Sequence, residues 1–230
     1  MNEVKWMYAV DVKGLYKSFE KQNVLNGVSL TMDQGLIYGL TGDNGCGKSV
    51  LMKCICGLLP YDKGQVSLFG QEIRAGMRLK TPPGVLIEHP GFIESMSAYA
   101  NLKYLAAIRG QIGRKEILQS LDLVGLSSAG KKPVRSFSLG MRQRLAIAQA
   151  VMESPSLLLL DEPFNGLDAD ARDVIRSLMM MLKVDGKTIL IVSHHLQDMD
   201  DLLDMELRLS KGMVYALDKN NQTAKGSVAH

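Results

Sequence analysis

The chain has 230 residues, a formal net charge of +3, and a composition 46% hydrophobic and 22% charged. That balance suits one large globular domain or a core carrying a subdomain, and the lack of a basic block argues against a dedicated nucleic-acid binder. The longest apolar runs are too short to span a bilayer, no secretory leader is visible, and three cysteines without a C-x-x-C pair fit a reducing cytoplasm with no zinc site.

In chain order, residues 8–12, 24–32 and 35–41 read as strands. Alternation through Val28-Ser29-Leu30-Thr31-Met32 marks the second as half-buried and antiparallel. Phe19 stands ahead of a turn predicted over 20–23. An aromatic there can stack on a base, although core packing explains it better when it is taken alone. Next comes Gly42-Asp43-Asn44-Gly45-Cys46-Gly47-Lys48-Ser49, which has the G-x-x-x-x-G-K-[ST] form. A strand precedes it, and Val50-Leu51-Met52-Lys53-Cys54-Ile55 reads as the start of a helix. Such a turn aims successive backbone N–H groups at one point, with the positive end of the helix dipole behind them. Polyphosphate is its natural ligand. Lys48 would reach the terminal phosphates and the Ser49 hydroxyl would bind Mg²⁺.

Strand character returns over 64–73, with a turn at Phe69-Gly70. Residues 82–91 change texture, with an apolar trio Val85-Leu86-Ile87 followed by Glu88-His89-Pro90. From 95 to 126 the pattern is helical. Tyr99, Leu102, Leu105, Ala106 and Arg109 form one stripe, and Ile117, Leu118, Leu121 and Val124 form another, with Asn101 and Asp122 assigned to exposed faces. This segment reads as a helical insertion that ends near Pro133. Ser138 is placed to cap the following helix; a second anion site could lie there, but the pattern alone needs only a capped helix.

Leu157-Leu158-Leu159-Leu160 suits a central parallel strand buried on both faces. Asp161 and Glu162 follow at its carboxyl end, where α/β sheets bind ligands. Pleating would send the two carboxylates to different sides. Asp161 is then placed to hold Mg²⁺ with Ser49, and Glu162 to accept a proton from an attacking water. A helix over 169–183 and a buried strand over 188–192 lead to Ser193-His194-His195, again at a strand's carboxyl end. Segments 204–209 and 213–217 read as a closing hairpin around Lys211-Gly212, and 219–230 as a polar tail.

Taken together and in this order, these motifs resemble the ATP-binding subunit of an ABC transporter over essentially the whole chain. The resemblance implies an α/β P-loop NTPase fold of the ABC type, with an antiparallel β-subdomain and an inserted helical subdomain. Its core would comprise 1–88 and 137–217, its helical subdomain 89–136 and its tail 218–230. It also implies ATP and Mg²⁺ as ligands. Gly42, Asp43, Asn44, Gly45, Cys46, Gly47, Lys48, Ser49 and Val50 correspond to the Walker A region, and Asp161 with Glu162 to Walker B and its catalytic glutamate. Ser138-Leu139-Gly140-Met141-Arg142-Gln143 is similar to the signature motif, through which Ser138 and Gly140 would touch ATP held by a second subunit. Asn165-Gly166-Leu167-Asp168 is similar to the D-loop, His194 to the switch histidine, and Phe19 to the adenine-stacking aromatic.

Two positions depart from the family's pattern. Glu88 stands where a glutamine usually approaches the metal and the attacking water, so it joins both the catalytic and the metal set. Val50 replaces a threonine, which implies weaker nucleotide affinity. Ile87-Glu88-His89-Pro90 and Ser138-Leu139-Gly140-Met141 resemble the exporter branch linked to lantibiotic immunity and bacitracin resistance. The implied partners are transmembrane permease subunits and a second ATP-binding subunit, identical or paralogous. The implied place is the cytoplasmic face of the cell membrane, with Phe92, Ile93 and Met96 as permease contacts. Two other readings stay open: a soluble ATPase of the same type uncoupled from transport, and a slowly hydrolysing regulatory head.

Overall fold

The computed structural model describes residues 8–20, 22–88, 91–194, 199 and 201–217. In chain order the first half runs β1 (Tyr8–Phe19), β2 (Gln22–Asp33), β3 (Ile37–Thr41), α1 (Lys48–Ile55), β4 (Lys63–Leu68), β5 (Gln71–Glu72) and β6 (Gly84–Leu86). The second half runs α2 (Ala98–Arg109), α3 (Arg114–Leu123), α4 (Leu139–Val151), β7 (Leu157–Asp161), α5 (Ala169–Val184), β8 (Thr188–Val192), β9 (Met205–Ser210) and β10 (Met213–Leu217). Short 3₁₀ turns at Ser127–Ala129 and Val134–Ser136 lie between α3 and α4.

The strands form two sheets. One is antiparallel, in the order β2-β1-β4-β5; the other runs β10-β9-β3-β8-β7-β6. In the second sheet β9, β3, β8, β7 and β6 are mutually parallel, and only β10 returns antiparallel to β9. The unbroken apolar runs follow from cover on both faces. Leu158, Leu160, Ile189 and Ile191 pack with the helices α2 to α5. Leu157, Leu159, Leu190 and Val192 face the other way, toward α1 and the antiparallel sheet. The helical segment therefore shares its core with one face of the parallel sheet.

Several boundaries differ from the sequence reading. β1 runs on to Phe19 because its register shifts between Val12 and Leu15, a bulge that lets the strand twist and continue. The turn predicted over 20–23 is tighter, since Phe19 already pairs with Gln22 and Glu20 takes a left-handed φ of 51°. Leu118 is exposed rather than in the core. Arg109 is exposed and pairs with Glu153 rather than joining an apolar stripe.

Asn101 is the clearest correction. It is only 4% exposed, not on a solvent face. Its amide nitrogen donates to the carbonyls of Ile93 and Ser97, and its oxygen accepts from the Ile93 N–H at 2.8 Å. A buried side-chain amide is tolerated when its groups are paired in this way. Here it ties the chain before α2 to the helix. Asn101→Ala should lower stability by about 1–3 kcal/mol, measured by urea unfolding with an unchanged m-value.

Candidate functional site

Because β3, β8, β7 and β6 are parallel, their carboxyl ends reach one edge together. Leu40 lies opposite Val192, Val192 opposite Asp161, and Leu86 opposite Leu160. The chain leaving β3 becomes the loop 42–49. The chains leaving β6, β7 and β8 carry Glu88, Asp161-Glu162 and Ser193-His194. Spatial order, which the sequence does not show, puts β8 between β3 and β7. Ser193 and His194 thus emerge between the loop and Glu162.

The loop ends at Gly47, whose φ of 109° starts α1 in a conformation that side chains resist. A Cβ there would also stand 2.8 Å from Val24 of β2. That close approach seats the β1–β2 hairpin, which carries Phe19 at its turn, against the loop. The Phe19 ring is 44% exposed, with the Lys17 ammonium 5.1 Å above its centre. Lys17 also reaches Asp62 at 3.3 Å. The Asp62 carboxylate is held below its ordinary range by the Ser18 backbone N–H and then by Lys17.

Lys48 is 7% exposed, and its ammonium donates to the carbonyls of Gly42 at 2.7 Å and Asp43 at 3.1 Å. Among the described residues no carboxylate pairs with it. Asp43, Asn44 and Gly45 are exposed, and Cys46 and Val50 are half-buried against the core. The Ser49 hydroxyl donates to Asp161 Oδ2 at 2.7 Å, across 112 residues of sequence. A hydroxyl and a carboxylate at the mouth of a phosphate loop fit Mg²⁺, which takes one or two protein oxygens and completes its shell with phosphate and water.

Glu162 faces elsewhere. Its Oε2 accepts from the Ser193 hydroxyl and its Oε1 from the His194 backbone N–H, both at 2.9 Å. The His194 imidazole Nε2 lies 3.6 Å from the same Oε1. Glu162 itself has a φ of 48°, rare for a side chain of this size. Its N–H donates to Val192 and its carbonyl accepts from Gln143 Nε2 at 2.9 Å. His195 lies outside the described residues, as do 218–230.

Glu88 also takes a left-handed φ, 62°, and its carboxylate accepts from Lys53 Nζ at 2.6 Å. That contact pushes the Glu88 carboxyl below its ordinary value. The sequence reading did not single out Lys53. The available signal was its place four residues after Ser49, on the same helix face. Ser193 and the buried Gln143 were likewise not assigned roles. Ser138 caps α4 by accepting from the Met141 N–H at 3.2 Å. Gly140 packs against the loop after Glu162, where its Cβ would meet the Gly166 carbonyl oxygen at 2.8 Å.

A family model described as ABC transporter matches residues 25–165. The chain belongs to the ABC transporter family. It is 36% identical over 210 residues to the uncharacterized ABC transporter ATP-binding protein YybJ of Bacillus subtilis (strain 168), covering 91% of this chain and 96% of that one. Identity is 40% over 194 residues to the lantibiotic transport ATP-binding protein SrtF of Streptococcus pyogenes, covering 84% and 83%. Against the bacitracin transport ATP-binding protein BcrA of Enterococcus faecalis it is 38% over 200 residues, covering 86% of this chain and 65% of BcrA. The crystal structure of a nucleotide-free ATP-binding cassette from an ABC transporter superposes with a TM-score of 0.77 over 90% of each chain. At 22% identity that likeness carries the fold alone. Among the described residues of this ABC protein, no helix is long and apolar enough to cross a membrane.

Two outcomes check the site's geometry in solution. Burial pushes the Cys54 thiol up to about 11, and Cys46 is the most exposed of the three cysteines. At pH 8 iodoacetamide should label Cys46 first and leave Cys54 unlabelled until the chain unfolds, read by peptide mass spectrometry. In Lys53→Met the Glu88 carboxyl should titrate higher, nearer the ordinary glutamate range, in carboxyl-detected NMR. An unchanged titration would mean that the ion pair does not form.

Proposed function

We propose that this chain is the ATP-hydrolysing motor of a membrane exporter whose cargo is an antimicrobial peptide or related drug. The observation that carries the ATP reading is Lys48, a buried cation that among the described residues pairs with neutral carbonyl oxygens, beside the Ser49–Asp161 pair. A polyphosphate supplies the missing counter-charge. The cargo class is supported by relatives named for lantibiotic and bacitracin transport.

In this reading Lys48 exchanges its loop carbonyls for the β- and γ-phosphates, while Phe19 stacks on the adenine. Ser49 and Asp161 hold Mg²⁺, with Glu88 as a further carboxylate if it leaves Lys53. Bound there, the metal neutralises charge on the terminal phosphates. Glu162 takes the proton of the attacking water, and His194 beside it senses the γ-phosphate. Val50, with no hydroxyl, weakens nucleotide binding without abolishing it.

Ser138 and Gly140 lie at the start of α4, the first as its cap, and serve the nucleotide of a second ATP-binding subunit, so two chains share two sites. ATP drives closure of that pair by binding the closed form more tightly than the open one. A transmembrane permease holds the pair at the cytoplasmic face of the membrane. Of the candidate contacts, Ile93 is exposed, Met96 is half-buried, and Phe92 is partly buried against the core.

Glu162→Gln should lower turnover by about 100-fold or more, yet leave a dimer on size-exclusion chromatography that forms only with ATP. Near-normal hydrolysis would remove Glu162 from the role of base. A tagged chain should bring a permease out of detergent-solubilised membranes. Recovery from the soluble fraction alone would favour an ATPase uncoupled from transport.

A further inference from the structure

The first turns of α4 are fastened at two places to the loop that follows Glu162. Gln143 is 5% exposed and lies one turn beyond the Ser138 cap. Its side-chain nitrogen donates to the Glu162 carbonyl at 2.9 Å, and the Asn165 N–H donates to the same oxygen at 3.1 Å. The second fastening is steric. Gly140 and Gly166 approach so closely that a Cβ on Gly140 would stand 2.8 Å from the Gly166 carbonyl oxygen, and one on Gly166 would stand 2.7 Å from the Leu139 side chain.

Glu162 needs such support. It sits in the left-handed region with φ 48°, a conformation that persists in a non-glycine residue only where the surroundings enforce it. Its N–H is fixed to Val192 on β8, and its carboxylate to Ser193 and His194. The carbonyl side is fixed by Gln143 instead, and so by α4. The orientation of this residue is thus set jointly by the sheet edge and by the helix that begins at Ser138.

We infer that Gln143 is a positioning residue: it makes the Glu162 loop move with the first turn of α4 in the same chain. The inference rests on the proposed function for its consequence. If Ser138 and Gly140 engage ATP bound by a second subunit, that contact sets the placement of Glu162 in the first. Each site then reports its occupancy to the other through the junction that Gln143 helps to fasten.

Gln143→Met keeps the length and removes the donor. Its kcat for ATP should fall roughly 10- to 100-fold, the scale of a small misplacement of a reacting group, with KM changed by no more than about 3-fold. The deciding readout is a double-mutant cycle. In a Glu162→Gln background the same substitution should change residual hydrolysis by less than about 3-fold, because Gln143 acts through Glu162. Equal losses in both backgrounds, or a rise in KM at constant kcat, would overturn the inference.

A second measurement needs no turnover. Amide hydrogen exchange of the full chain without nucleotide should quicken at Asn165 and Leu167 in Gln143→Met, while the strand amides of β7 and β8 keep their protection. If Gln143→Met does not fold, exposed Leu139→Ala removes the side-chain part of the steric fastening against Gly166 and should quicken the same two amides. Unchanged exchange at both amides would overturn the coupling. A wild-type chain that fails to hydrolyse ATP would instead count against the proposed function, and the exchange result would still decide the role of Gln143.

Discussion

Cover on both faces of the parallel sheet is the constraint that shapes the rest of this protein. All five residues of β8 are buried, and four of the five in β7. The middle of a strand in that position cannot carry an unpaired polar side chain at tolerable cost. Chemistry is expelled to the last residue of each strand and the first beyond it, and parallel direction gathers those residues on one edge. The loop 42–49, Asp161, Glu162, Ser193, His194 and Glu88 are together for this reason.

Two of the carboxylates at this edge share a backbone peculiarity. Glu88 and Glu162 each follow a neighbouring strand of the sheet, and each adopts a positive φ. Left-handed backbone costs a side-chain-bearing residue roughly 1–2 kcal/mol. At Glu162 the compensation is local hydrogen bonding on every side. Their electrostatic surroundings differ more than their backbones. A full cation sits on Glu88, whereas the closest donors to Glu162 are a hydroxyl and a backbone N–H. Of these two carboxylates, the one that carries the proposed proton transfer has no ammonium partner among the described residues.

Much of this was legible in the residues because the strongest constraints are local. The glycine-lysine-serine run, the four leucines ahead of Asp161, and the cap at Ser138 each announce their structure within a few positions. What stayed hidden depends on partners that no regular pattern announces. Asn101 looked like a surface amide because its partners at Ile93 and Ser97 lie in an irregular stretch. Lys53 and Glu88 are 35 residues apart, and no pattern on either side states that they meet. Gln143 could be placed on a helix from sequence, but its bond to the Glu162 carbonyl depends on how α4 lies across the end of β7.

Lys48 and Ser49 already hold partners within the chain: the first two carbonyls, the second a carboxylate. Phosphate entering the loop competes for those donors and does not simply add bonds to free ones. The hydrogen-bond count of the loop then changes little, and the net gain comes from placing anionic charge beside a buried ammonium and the start of a helix. Selection among phosphate compounds should accordingly follow their charge near the terminal group more than their number of acceptor atoms. Ligands carrying fewer negative charges would compete less well with the carbonyls that already hold the lysine.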